Sequence, residues 1–254
     1  MLKIGDKKLI GAWAFYDWAN SVYSLVISTA VFPLFYSAIT EGKTVVFLGM
    51  KWDHADTLYS YALSFSFLVV AFMSPILSAI ADYTGNKLKF MKFFCWLGGL
   101  SVMSMYFFED LNTAWIGIVC TILASIGFWS STVFYNSYLP EVAHPEQQDA
   151  ASAKGFIYGY IGSIILLIFC LAMILAPDIF GFDLSISDTI LANGSEAEIN
   201  NALENAKNAA SLKAMRISFV IVGLWWIGFA QITFKKLPNN SFNRKPEKDF
   251  IWKG

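Results

Sequence analysis

Charge is what this sequence has least of. Asp, Glu, Lys and Arg make up 15% of its 254 residues, where an ordinary soluble domain carries about 25%. Hydrophobic residues account for 56% and the mean hydropathy is +0.53, which excludes an ordinary soluble domain. The formal net charge of −1 gives no basic face, so a nucleic-acid partner is not expected. Cysteine is scarce too: Cys95, Cys120 and Cys170 each stand alone in an apolar run, with no CxxC. A disulfide framework and a thiol–metal site are thereby excluded. The two histidines, His54 and His144, sit in loops beside Asp53, Asp56 and Glu141, among helix-cap and turn residues. No HExxH, GxSxG or metal-ligand spacing accompanies them, so no enzyme and no cofactor is expected.

What the chain has is long apolar runs. The first, Trp13–Ile39, has 27 residues and one formal charge, Asp17. At ~1.5 Å per residue it crosses a ~30 Å hydrocarbon core with some tilt. Lys3, Lys7 and Lys8 precede it, but the run is too long for a cleavable signal and lacks an early small-x-small site, so it reads as a retained span. Five more runs follow. The six expected spans are about 12–39, 58–81, 91–108, 112–138, 154–177 and 215–235. A polar segment, 178–214, separates the last two, and Ser195-x-x-Glu198 within it is a capping box. Asn193-Gly194-Ser195 reads as a turn rather than a glycosylation site. Residues 41–57 read as a polar loop and 237–254 as the start of a linker.

Basic residues set the orientation. With the N-terminus inside, 13 of the 18 Lys and Arg fall on the inner side. Both termini are therefore expected in the cytoplasm, with the lipid bilayer as the first partner.

Two polar stripes carry the functional signal. Asp17, Asn20, Ser21, Ser24 and Ser28 recur at helical spacing in the first run, and Ser125, Trp129, Thr132 and Asn136 do so in the fourth. An ionisable group at bilayer depth costs about 2.5–3.5 kcal/mol, so the first stripe is expected to face a wet interior shared with other spans. Ser24, Ser28 and Ser125 are better explained as groups that bond their own backbone or a neighbour. Two long polar spans at positions one and four suit a three-plus-three repeat in which both line a path. Pro33 is a possible kink site, and Gly155, Gly159, Gly162 and Ser163 form a small face for close helix approach. Asp82, at the end of span two, opposes its own helix dipole, and Gly85 then makes a tight turn.

The Asp82–Lys87 segment resembles the Gly-x-x-x-Asp-Arg/Lys-x-Gly-Arg-Arg/Lys loop of the major facilitator superfamily. Asp82, Gly85 and Lys87 match, while Ser78, Tyr83 and Asn86 replace the leading glycine and two basic positions. With Tyr16-Asp17-Trp18-Ala19-Asn20-Ser21, Tyr135–Ala143 and Ser152–Ser163, the chain resembles one branch, the vacuole effluxer or autophagy-related permease family and its bacterial relatives. That resemblance implies a twelve-span transporter of two six-helix bundles in a bacterial plasma membrane, of which this all-α, six-span chain is the N-terminal half. A second half, on the same or another chain, becomes an expected partner. The substrate would be a small organic solute, with amino-acid efflux the role implied by fungal members. Asp17, Asn20, Ser24, Trp129, Thr132 and Asn136 would line the pathway, and Asp82, Gly85 and Lys87 would form the gate loop. The alternative is a non-transporting six-helix fragment or partner-binding subunit.

Overall fold

The computed structural model describes residues 3–239; the remainder of the expected linker lies outside them, as do the side chains of Asp82, Thr84, Asp188, Thr189 and Asn193. Six helical segments are long and apolar enough to cross a membrane: Lys7–Thr40, Ala55–Ala81, Lys87–Phe107, Leu111–Ser137, Pro145–Leu175 and Glu196–Phe234, here spans one to six. The chain is an all-α membrane bundle, as the apolar runs imply.

Local chemistry sets the ends of several segments. Asp6 caps span one by accepting the Lys8 amide, 2.7 Å away. The helix of span two continues to Thr84 and stops at Gly85, which adopts φ +68°. That left-handed residue lets the Gly85 and Asn86 amides both reach the Ala81 carbonyl, closing the last turn. Ser195 accepts the Glu198 amide while the Glu198 carboxylate takes the Ser195 amide at 2.7 Å, and span six then runs 39 residues, about 58 Å. It is far longer than a bilayer is thick; Ser211, in its N-terminal half, is tied to the end of span five, its Oγ donating to the Ile174 carbonyl at 2.8 Å.

Two elements differ from the sequence reading. Span one is not a uniform α-helix: Tyr23–Val31 is π-helical, and the α-helix resumes at Phe32 with Pro33 in its first turn. The irregularity thus precedes the proline, which lacks an amide donor where the hydrogen-bond register is already changing. The loop after span one holds a hairpin, β1 Val45–Phe47 and β2 Met50–Trp52, antiparallel with Val45 opposite Trp52. Leu48 and Gly49 turn it with φ of +50° and +77°. Both central residues of such a tight turn need positive φ, and a leucine there gives no sequence warning.

Helix packing follows a rule. The pairs that pack closely are three with four, one with five, three with six, two with four, and one with six. Exchanging spans one, two and three for four, five and six maps one–five onto two–four, one–six onto three–four, and three–six onto itself. That is the symmetry of a three-plus-three repeat. Spans four and six are the most deeply buried, spans one and three follow equally, and span two is the least covered.

Span three is clasped on two sides. A Cβ added at Gly98 would meet the buried Trp226 ring, and one at Gly99 would meet Ile227, both on span six. From span four, a Cβ at Gly127 would lie 2.5 Å from the Gly98 nitrogen and 2.7 Å from the Phe94 carbonyl oxygen. Spans three and four therefore touch backbone to backbone.

Opposite ends of the bundle are tied by different chemistry. At one end the Gly5 amide donates to the Val142 carbonyl at 3.0 Å, the Tyr138 hydroxyl donates to the Pro238 carbonyl at 3.0 Å, and Lys87 meets Glu141. The start of the chain, the turns after spans two and four, and the end of span six thus share one side. At the other end Arg216 of span six donates Nε to the Tyr106 carbonyl at 2.7 Å, pairs with Glu109, and lies 4.5 Å from the Tyr106 ring centre.

The turn into span four contributes a pH-sensitive cap. The Thr113 hydroxyl, and then its amide, donate to the exposed Asp110 carboxylate and hold its pKa below the ordinary 3.8. A depressed carboxylate stabilises the fold fully above its unfolded value and loses that contribution as pH falls through the folded value. Carbon NMR titration of Asp110 should give a midpoint below 3.8, moving up to the ordinary value in Thr113→Val. An unshifted midpoint in the native protein would remove the cap.

Candidate functional site

Asp17 lies in the first third of span one, about 15 Å of helix from Lys7. It is half-buried, and the Tyr135 hydroxyl of span four donates to its Oδ2 at 2.9 Å. Among the described residues no cation pairs with it. Tyr135 is itself held tightly: its ring stacks on Trp13 at 4.4 Å between centres, and the Trp13 Nε1 donates to the Tyr135 carbonyl at 2.9 Å. The third wall is span five. A Cβ added at Gly155 would stand 2.5 Å from Asp17 Oδ2 and 2.8 Å from the Tyr135 hydroxyl, and one at Gly159 would stand 2.6 Å from Ser21 Oγ. Lys154, next in the chain to Gly155, places its Nζ over the Tyr158 ring at 5.6 Å, beside Gly11.

One turn on, the buried Asn20 donates Nδ2 to Thr132 Oγ1 at 3.4 Å, while its Oδ1 has no hydrogen-bond partner. Thr132 passes its own hydrogen to the Phe128 carbonyl at 2.8 Å. The fold thus brings Asp17, Asn20 and Thr132 together, with Tyr135 and Gly155 completing the set. Ser24 opens into a cleft beside them. Trp129 and Asn136 do not join them: Trp129 is exposed and packs edge-on to Phe67 of span two, and the exposed Asn136 makes no hydrogen bond among the described residues. A three-and-four spacing marks a stripe wider than the contact it serves, and these two occupy its edge.

Span five enters the site through Gly155 and Gly159, the small face whose spacing alone implies only close helix approach. Three glycines on one face, opposite a span that carries a carboxylate, were the available signal. Ser125, expected to bond a neighbour or its own backbone, accepts from Ser66 of span two at 2.7 Å. In the loop motif, Gly85 forms the left-handed cap, and Lys87 Nζ meets Glu141 Oε1 at 2.9 Å. Spacing alone does not pair Glu141 with Lys87, which lies 54 positions away. The Asp82 side chain lies outside the described residues.

A six-helix membrane bundle whose packing repeats after three spans has the architecture of half a major-facilitator fold. The family model described as "Vacuole effluxer Atg22 like" matches residues 5–154, more than half of the chain, and the chain belongs to that family. The uncharacterized MFS-type transporter YxiO of Bacillus subtilis (strain 168) is 35% identical over 216 residues, covering 85% of this chain and 43% of the relative. An uncharacterized protein of Aquifex aeolicus (strain VF5) is 26% identical over 66% of this chain and 40% of its own length. The autophagy-related protein 22 of Coccidioides immitis (strain RS) is 24% identical over 53% of this chain and 28% of its own. The chain therefore spans less than half the length of these relatives. No solved structure matches it.

Proposed function

We propose that this chain is one bundle of a secondary transporter that moves a small organic solute across a plasma membrane, working with a second six-helix bundle. Amino acids are the substrate class the family resemblance favours, with efflux as the direction. The observation that carries the reading is Asp17. A carboxylate inside an apolar span with a single phenolic donor is poorly compensated. A proton, or a cationic group on the solute, completes it, and the site can then cycle between loaded and empty states. Tyr135 holds the carboxylate in place, and one turn on the buried Asn20 Oδ1 is left without a hydrogen-bond partner.

Alternating access is rocking of two bundles about a site between them. The Lys87–Glu141 contact and the Gly85 turn lie at the end that the basic residues assign to the cytoplasm, where such a gate would close. Both termini lie on that side in this reading.

The test is exchange of radiolabelled amino acids and other small organic solutes in proteoliposomes carrying both bundles. Saturable flux with at least one solute is expected. No flux with any solute in a correctly folded preparation would overturn the proposal.

A further inference from the structure

Lys154 is a cation inside a span without a counter-ion. It is partly buried, and among the described residues no carboxylate pairs with it. Asp149, five residues earlier, lies about 140° round the helix. Asp6 is taken up by the Lys8 amide. The ammonium has instead the Tyr158 ring, 5.6 Å from Nζ, and a niche that Gly11 leaves open, where an added Cβ would stand 3.4 Å from Nζ. Gly11 is about 9 Å of helix nearer the start of span one than Asp17. The charge is thus held towards the water while the stem stays among apolar groups.

More positive charge gathers at that end of the bundle. Lys7 and Lys8 are exposed in the first turn of span one, which holds no acidic residue. Thr233 Oγ1 donates to the Ala12 carbonyl at 2.8 Å, which pins the end of span six beside Gly11. The exposed Lys235 and Lys236 follow directly. Deeper along span one, charge gives way to rings. Phe15 stands between spans five and six, edge-on to Tyr158 at 6.3 Å and to Phe229 at 6.1 Å. Trp18 stacks on Phe15 at 5.9 Å and on Trp225 at 5.5 Å, and Trp225 Nε1 donates to the Trp18 carbonyl at 3.1 Å. All five rings are partly exposed. From Gly11 to Trp18 the strip runs about 10 Å.

We infer that this strip, between spans one, five and six, is a binding site for one anionic phospholipid. The phosphate sits on Lys154 in the Gly11 niche, and an acyl chain lies along Phe15, Trp18 and Phe229. Charge complementarity selects the headgroup. A zwitterionic lipid offers the same phosphate but brings its own cation to an end of the bundle crowded with lysines; a net anion does not. The rings give the chain a fixed, uneven surface that rigid aromatics hold in one shape. Lys154 precedes Gly155, so a lipid held there braces the part of span five that faces Asp17. The inference needs only that the chain sits in a membrane, and it stands apart from the transporter reading.

Native mass spectrometry of the full chain in mild detergent, with equimolar phosphatidylglycerol and phosphatidylcholine, counts the lipids retained. One phosphatidylglycerol per chain is expected, preferred about tenfold, the worth of one charge-assisted hydrogen bond. Lys154→Gln should abolish the preference and Lys154→Arg should keep it. Gly11→Leu fills the niche without changing any charge, and should abolish it too. Lys235→Gln removes one charge from the same end of the bundle and should leave the preference within about twofold. Phosphatidylglycerol with brominated acyl chains should quench tryptophan fluorescence more than brominated phosphatidylcholine does, and equally in Lys154→Gln. No preference in the native chain overturns the site, and so does a loss in Lys235→Gln as large as that in Lys154→Gln, which marks a diffuse attraction to lysines. Preference without the difference in quenching overturns the path of the acyl chain.

Discussion

Gly127→Ala should cost the protein about 3 kcal/mol of stability, the largest effect expected of any single methyl group in the bundle. The added carbon would stand 2.5–2.7 Å from three backbone atoms of span three, the Gly98 nitrogen and Cα and the Phe94 carbonyl oxygen. No rotamer change relieves that contact, because no side chain is involved. The two spans must separate by nearly 1 Å, and Phe94 and Phe134, stacked across the same interface at 6.1 Å, lose contact with them. Dispersion falls steeply over such a gap. Thermal unfolding in mild detergent gives the reading. The control is Gly228→Ala, where nothing lies within 4 Å. There the same change should be neutral or stabilising by about 0.5–1 kcal/mol. Equal melting temperatures for the two variants would show that the close contact between spans three and four is absent in the membrane.

Asp17→Asn should lower flux about a hundredfold while leaving the bundle folded. The amide keeps the shape of the carboxylate but cannot take a proton or pair with a cation. A charge-assisted hydrogen bond contributes ~1.5–3 kcal/mol, and a hundredfold corresponds to ~2.8 kcal/mol. Tyr135→Phe keeps the stack on Trp13 and removes only the hydroxyl, so a smaller loss, about tenfold, is expected. Gly155→Ala leaves both functional groups intact and pushes them apart, since its Cβ falls 2.5 Å from Asp17 Oδ2. Its flux should fall with that of Tyr135→Phe. Undiminished flux in Asp17→Asn would remove the carboxylate from transport and leave it a structural role.

The number and order of the spans were legible because apolar runs of bilayer length have one common solution. Asp17 was legible because a charge inside such a run is conspicuous. Its surroundings were harder. Spacing placed Asp17, Asn20, Trp129 and Asn136 on stripes, but a stripe covers a third of a helix and does not say which edge meets a neighbour. Hence the stripe includes Trp129 and Asn136, which lie at its exposed edge. The π-helical stretch has no sequence signature: its β-branched Val26, Ile27, Thr29 and Val31 suit an α-helix in lipid as well. The hairpin was hidden because Leu48, not asparagine or glycine, takes a positive φ. Contacts between distant positions, Lys87 with Glu141 or Asp17 with Gly155, are properties of the packed bundle and become visible only there.

The exchange relation among the spans has a directional corollary. Three is odd, so the second triplet threads the bilayer in the sense opposite to the first. Equivalent positions in the two triplets then lie at mirrored depths, and a group near one water surface has its counterpart near the other. A bundle built this way carries both faces of the membrane in a single architectural unit, related by a half-turn about an axis lying in the bilayer plane.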